Sequence, residues 1–132
     1  MSLATGDILL DTSVVVRYFR KDNAIRQQIQ ACATLYLPQT ALGELYCGAY
    51  LSTDQVKTLA EITNFLGAVV VLSPGLATAN QYGQIRAALA RAGTPIPEND
   101  IWIAALAQEH QLPLAARDKH FDRVTGLQVW QW

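Results

Sequence analysis

At 132 residues the chain is near the commonest single-domain size, and 51% apolar against 16% charged residues supplies a real core and excludes a disordered chain. No apolar run approaches the roughly 18 residues of a membrane helix, and no basic region followed by an apolar segment marks a secretory signal, so a cytoplasmic protein is expected. The net charge of -1 does not exclude nucleic acid, because the placement of the basic residues decides.

One domain over residues 1–132 is expected, of which Met1-Ser2-Leu3 could be a vector remnant. Ile8-Leu9-Leu10 reads as a short buried strand. Asp11-Thr12-Ser13 then interrupts, and all three residue types cap helices well. Val15, Tyr18 and Phe19 recur at helical spacing, so the reading is strand, turn, helix, despite the β-branched run Val14-Val15-Val16. Ala24 to Ala33 is a predicted helix and Thr34 to Leu37 a strand ending at Pro38. Gln39 to Leu51 is a helix rich in Ala and Leu. Thr53 or Asp54 caps the next helix, with Val56, Leu59, Ile62, Phe65 and Leu66 on its inner stripe.

Ala68 to Leu72 is an apolar, β-branched run, as expected for a central strand covered on both faces. Ser73-Pro74 begins a long helix to about Ala92, ending at Gly93. The loop "GTPIPEN" leads into a helix from Asp100 to Gln111. Leu112 to Ala116 and Leu127 to Trp130 complete the strands. Cys32 and Cys47 lack CxxC spacing and read as reduced and buried. The alternation of strands and helices predicts an α/β fold with a mostly parallel sheet of four to five strands. In such folds ligands sit beyond the carboxyl ends of the strands, near a switch in strand order.

Four carboxylates fall at informative places. Asp11 and Asp118 follow predicted parallel strands, so they can share one crevice, although Asp11 could be a cap and Asp118 a turn residue. Glu44, in "QTALGELYCGAYL", has small and mostly uncharged helical neighbours and no Lys or Arg between Gln39 and Leu51. If buried, it needs a positive partner or a proton; the same face could equally be exposed. Asp100 sits in the first turn of its helix, where the dipole favours an acid and where Asn99 could act as cap. Converging acids need a counter-ion. With no histidine pair or cysteine cluster, an all-oxygen set points to Mg²⁺ or Mn²⁺, one or two per site. An ion so held suits phosphodiester hydrolysis.

The segments "LLDTSVVV", "ALGELYCGA", "GTPIPENDIWIAALA" and "LPLAARDKHF" together resemble the PIN-domain nucleases, and within them the VapC-like toxins of bacterial toxin–antitoxin pairs. The resemblance covers essentially the whole chain. It implies a three-layer sandwich, with Asp11, Glu44, Asp100 and Asp118 as catalytic metal ligands. It implies endoribonuclease cleavage by metal-activated water. It further implies that Thr12 or Ser13 hydrogen-bonds the site and that Asn99 braces Asp100. Toxins of this type are commonly dimers, held inactive by a small antitoxin whose C-terminal segment enters the groove.

Relatives often carry another acid near Asp118, where this chain has Lys119 and His120. His120 could contact substrate or shuttle a proton, and a surface histidine after a turn is the plainer reading. Two basic clusters, Arg17-Arg20-Lys21 and Arg117-Lys119 with Arg123, flank the acids and are candidate RNA contacts, although solvated faces are the commoner meaning of such charge. Two alternatives stand beside the nuclease. One is a PIN-like module that binds RNA or protein without cutting. The other is a different acidic-pocket α/β protein. A haloacid-dehalogenase-type phosphatase would need an acid where Ser13 stands, and a phosphoacceptor receiver would need one after "VVVLS", where the chain has Pro74.

Overall fold

The computed structural model describes residues 6–132, so Met1-Ser2-Leu3 lies outside the described residues. In chain order the elements are β1 (Ile8–Leu10), α1 (Thr12–Phe19), α2 (Asn23–Ala31), β2 (Leu35–Pro38), α3 (Gln39–Leu51) and α4 (Gln55–Leu66). These are followed by β3 (Val70–Leu72), α5 (Leu76–Ala92), α6 (Glu98–Glu109), β4 (Leu114–Ala116), a short 3-10 helix (Lys119–Arg123) and β5 (Val129–Gln131). The five strands form one wholly parallel sheet in the order β3-β2-β1-β4-β5, flanked by helices.

That order positions the site. The chain steps outward from β1 to β2 and β3, then crosses back to β4 on the other side of β1. Strand order therefore reverses between β1 and β4, and a crevice opens beyond their carboxyl ends. Both strands are fully buried, as central strands of a parallel sheet are. Asp11 follows β1 directly, its N–H donating to the Ala115 carbonyl of β4 at 2.9 Å.

The turn after β1 is set by its own residues. Asp11 is extended, with φ -75° and ψ 155°, and its carboxylate accepts the Ser13 N–H as the cap of α1. Val14 and Val15 become fully buried in this helix. Burying such a side chain contributes about 1.5–3 kcal/mol, more than the roughly 0.7 kcal/mol at most that a valine loses in helix propensity. Tyr18, Phe19 and Phe65 then pack ring against ring and join α1 to α4. Helix α6 is buried through Ile101, Ile103, Ala104, Ala105, Leu106 and Ala107, which sets its first turn beside the crevice.

Several expectations are corrected. β3 is an edge strand, not a central one, and Val70 is 47% exposed, because β3 pairs with β2 alone. Val56 is 83% exposed, since only the later turns of α4, with Ile62 and Phe65, reach the core. Helix α5 starts at Leu76 rather than Ser73-Pro74, with Gly75 as cap and its N–H donating to the Thr78 hydroxyl at 2.9 Å. It ends where predicted, on Gly93 at φ 70°, the left-handed conformation that glycine adopts without steric cost. Helix α6 starts at Glu98 with Pro97 as its cap, so Asn99 lies inside the first turn and does not cap it. Cys47 is exposed and Cys32 half-buried, and neither forms a disulfide. Cys47 lies one turn beyond Glu44 on the open face of α3. Among the described residues no helix is long and apolar enough to cross a membrane.

Candidate active site

Asp11 stands at the floor of the crevice with 5% of its surface exposed. Its Oδ2 accepts the Ser13 hydroxyl at 2.6 Å and the Ser13 N–H at 3.4 Å. The Ser13 hydroxyl oxygen also accepts the Arg117 N–H at 3.3 Å, which ties the start of α1 to the segment leaving β4.

Asp118 caps the 3-10 helix, its Oδ1 accepting the His120 N–H at 2.9 Å. The His120 ring folds back over this cap. Its Nδ1 lies 3.0 Å from Asp118 Oδ1 and 3.1 Å from Asp100 Oδ2. Asp100, Asp118 and His120 thus each offer a donor atom within 4.8 Å of the other two. The sequence reading of His120, a surface histidine after a turn, did not include these two carboxylate contacts. The signal was available, since an aspartate cap followed three residues later by an apolar Phe121 describes a tight turn that brings residue 120 over the acid.

Glu44 reaches the crevice from α3 on a face that is open to solvent, as the small neighbours of "GELYCG" allowed. Partial burial raises its pKa first, followed by the charge of Asp11 and then that of Asp100. The Thr12 hydroxyl opposes that rise. Thr12 Oγ1 is itself buried and makes no hydrogen bond of normal geometry among the described residues. Asp11 is pushed above the usual carboxylate range chiefly by burial and further by Asp118, while the Ser13 hydroxyl and N–H pull it down. Asp100 is likewise raised by burial and by Asp11 and Asp118, and His120 opposes the shift. For Asp11, Glu44 and Asp100 burial is the largest cause, the like charges of neighbouring acids add to it, and a bound cation would favour the ionised forms.

The supporting residues divide. Ser13 and Thr12 face the acids as described. Asn99 is exposed, and among the described residues Asp100 takes its side-chain partner from His120 instead. Of the basic residues, Arg17 pairs with Asp22 at 3.4 Å. The Arg117 guanidinium donates to the Trp132 carbonyl, and Arg123 donates to the Pro95 carbonyl at 3.0 Å. Arg20, Lys21 and Lys119 are exposed, and Arg20 lines the same groove as Glu44.

A family model described as the PIN domain matches residues 8–127. The chain belongs to the PIN-domain family. Among the relatives of this PIN domain is the tRNA(fMet)-specific endonuclease VapC of Shigella flexneri, 32% identical over 127 residues, which span 94% of this chain and 96% of that protein. Ribonuclease VapC2 of Haemophilus influenzae is 30% identical over 127 residues, with the same coverage. A chain of the DNA-bound VapBC complex of Salmonella typhimurium superimposes with a TM-score of 0.90 at 29% identity, covering 99% of each chain. The PIN-domain resemblance drawn from the four motifs is therefore borne out in family and in fold.

Proposed function

We propose that this PIN domain is a Mg²⁺- or Mn²⁺-dependent endoribonuclease, the toxin of a toxin–antitoxin pair, acting in the cytoplasm. The observation that carries the reading is the convergence of Asp11, Glu44, Asp100 and Asp118, from β1, α3, α6 and the end of β4, on the switch point of one parallel sheet. The relatives named as RNA-cutting enzymes and the VapBC complexes support it.

The residues fit a divalent ion. Asp100, Asp118 and His120 present three donors within 4.8 Å, and among the described residues neither Asp11 nor Glu44 has an ion-pair partner. Asp11, Glu44, Asp100 and Asp118 would hold one or two such ions, which when bound acidify water and neutralise charge on a phosphate under attack. The chain supplies the rest. Ser13 orients Asp11 and favours its charged form, and the first turn of α6 carries Asp100. Arg20 offers a cation to the RNA backbone beside Glu44.

An apolar groove of about 470 Å³ between α1, α3 and α4 includes Glu44 in its lining, together with Val16, Phe19, Leu45 and Ile62. A small antitoxin segment seated there would reach the acids and close the site, giving the inactive hetero-oligomer. The test is cleavage of RNA by the purified chain with Mn²⁺ or Mg²⁺. Wild type should cut, a chelator should stop it, and Asp100→Asn should lose at least about 100-fold in rate, equivalent to about 2.7 kcal/mol. Undiminished cleavage by Asp100→Asn, or full activity in chelator, would overturn the reading.

A further inference from the structure

The sequence points to an all-oxygen site, yet the donor cluster found among the described residues contains a nitrogen. His120 Nδ1 stands 3.0 Å from Asp118 Oδ1 and 3.1 Å from Asp100 Oδ2. One ring nitrogen carries at most one proton, and one N–H cannot point well at two carboxylates in different directions. What the arrangement matches is three donors gathered about a common centre. The position is also held from behind. His120 N–H is fixed to Asp118 Oδ1 at 2.9 Å, and its neighbour Phe121 is fully buried, so the ring is placed before anything binds. The His120 side chain is 36% exposed, which leaves one side of the cluster open to water and substrate.

We propose, building on the metal-dependent reading above, that His120 is a direct ligand of the divalent ion held by Asp100 and Asp118. The site is thereby biased toward a first-row transition ion and away from Mg²⁺. Mg²⁺ demands hard oxygen donors in near-ideal octahedral geometry and dehydrates reluctantly. An imidazole donor suits first-row transition ions, whose affinities rise from Mn²⁺ along the series. Mn²⁺ is the weakest binder of that series, so a preference for it over Mg²⁺ is a stringent probe. A single nitrogen among carboxylates is a specificity device here. It lowers the anionic charge of the cluster, which matters most to Mg²⁺, and adds the donor that Mg²⁺ uses least.

The experiment is Mn²⁺ binding to the full chain, followed by electron paramagnetic resonance, with Mg²⁺ as competitor. Pulsed measurements read nitrogen-14 coupling to the bound ion. Wild type should show that coupling, and His120→Ala should lose it with about a tenfold fall in the Mn²⁺-to-Mg²⁺ affinity ratio. His120→Glu should also lose the coupling while gaining Mg²⁺ affinity, because it restores an all-oxygen set in a variant that still binds metal. Mn²⁺ bound without nitrogen coupling, yet released in Asp100→Asn, would overturn the role of His120 and leave the metal site standing. Coupling that survives in His120→Glu would overturn it equally, since His110 is the only other histidine. Failure of the wild type to bind Mn²⁺ at all would overturn both readings together.

Discussion

The Ser13 hydroxyl donates to Asp11 Oδ2 at 2.6 Å, across two residues of the turn that leaves β1. This bond favours the charged carboxylate and works against the burial that pushes Asp11 upward. Removing it should raise the Asp11 pKa further. The form that binds a cation is the ionised one, so in Ser13→Ala the acid limb of Mn²⁺ binding, and of cleavage, should move to higher pH. Ser13→Thr keeps a hydroxyl and should leave the limb near its wild-type position. The measurement is a pH titration of Mn²⁺ affinity across the three proteins, and an unmoved limb in Ser13→Ala would show that Asp11 ionisation does not govern binding.

The same burial makes the acids a cost to the metal-free fold. Asp11, Asp100 and Glu44 all have folded-state pKa values above their unfolded ones. For such groups the stabilisation is complete below the unfolded pKa, near pH 4. It is lost as pH rises through the folded value. The chelated protein should therefore lose stability through these groups between about pH 4 and neutrality. Asp11→Asn removes the most buried of these carboxyls while keeping a residue that caps helices, and should gain about 0.5–2 kcal/mol at neutral pH without metal. Millimolar Mn²⁺ should raise the melting temperature of wild type and not that of Asp11→Asn. A chelated Asp11→Asn that melts below wild type at pH 7 would contradict this account.

Arg20 is the exposed cation that shares a groove with Glu44, and among the described residues it has no ion-pair partner. Arg17 and Arg117 are already engaged, by Asp22 and by the Trp132 carbonyl. Arg20→Glu should therefore weaken RNA binding more than Arg117→Glu. It should also flatten the dependence of log affinity on log salt, by about 0.7 for each phosphate of single-stranded RNA that is no longer neutralised. Binding is best measured in Asp100→Asn, so that substrate survives. Equal slopes for wild-type and Arg20→Glu surfaces would remove Arg20 from the RNA path.

The elements were legible where local chemistry and burial agree. Gln39–Leu51 was readable to its ends, because Pro38 before it and a polar Ser52 after it bound an apolar stretch. "DTS" declared the turn after β1. The places of two of the four acids were legible in the sequence, because Asp11 and Asp118 follow strands and cap the elements after them. β3 misled because "VVV" reports a residue's preference for extended backbone and says nothing of which neighbours flank the strand, and strand order is a long-range property. Val56 misled for a related reason, since a helical stripe marks a face and not how far the core extends along it. His120 was undervalued because its partners are Asp118, two residues away, and Asp100, twenty away, and only the second of these turns a cap into a cluster.

Phe121 ties that cluster to the core. It is fully buried, on the 3-10 helix that Asp118 caps and that also carries His120. Phe121→Ala removes a large core side chain and should cost about 3–5 kcal/mol. For a domain of this size that is a fall in melting temperature of about 10–20 °C. Phe121→Leu should cost less, about 1.5 kcal/mol, because most of the volume remains. The two variants separate anchoring from ligation. At low temperature, where Phe121→Ala is still folded, it should bind Mn²⁺ more weakly than Phe121→Leu, although both retain every proposed ligand. Asp100→Asn should show the opposite pattern, losing the ion while keeping its fold. Thermal melts and Mn²⁺ titrations on the same samples decide it. A Phe121→Ala protein that melts within about 1 kcal/mol of wild type, or binds Mn²⁺ as tightly, would show that the turn carrying Asp118 and His120 is held by something other than this ring.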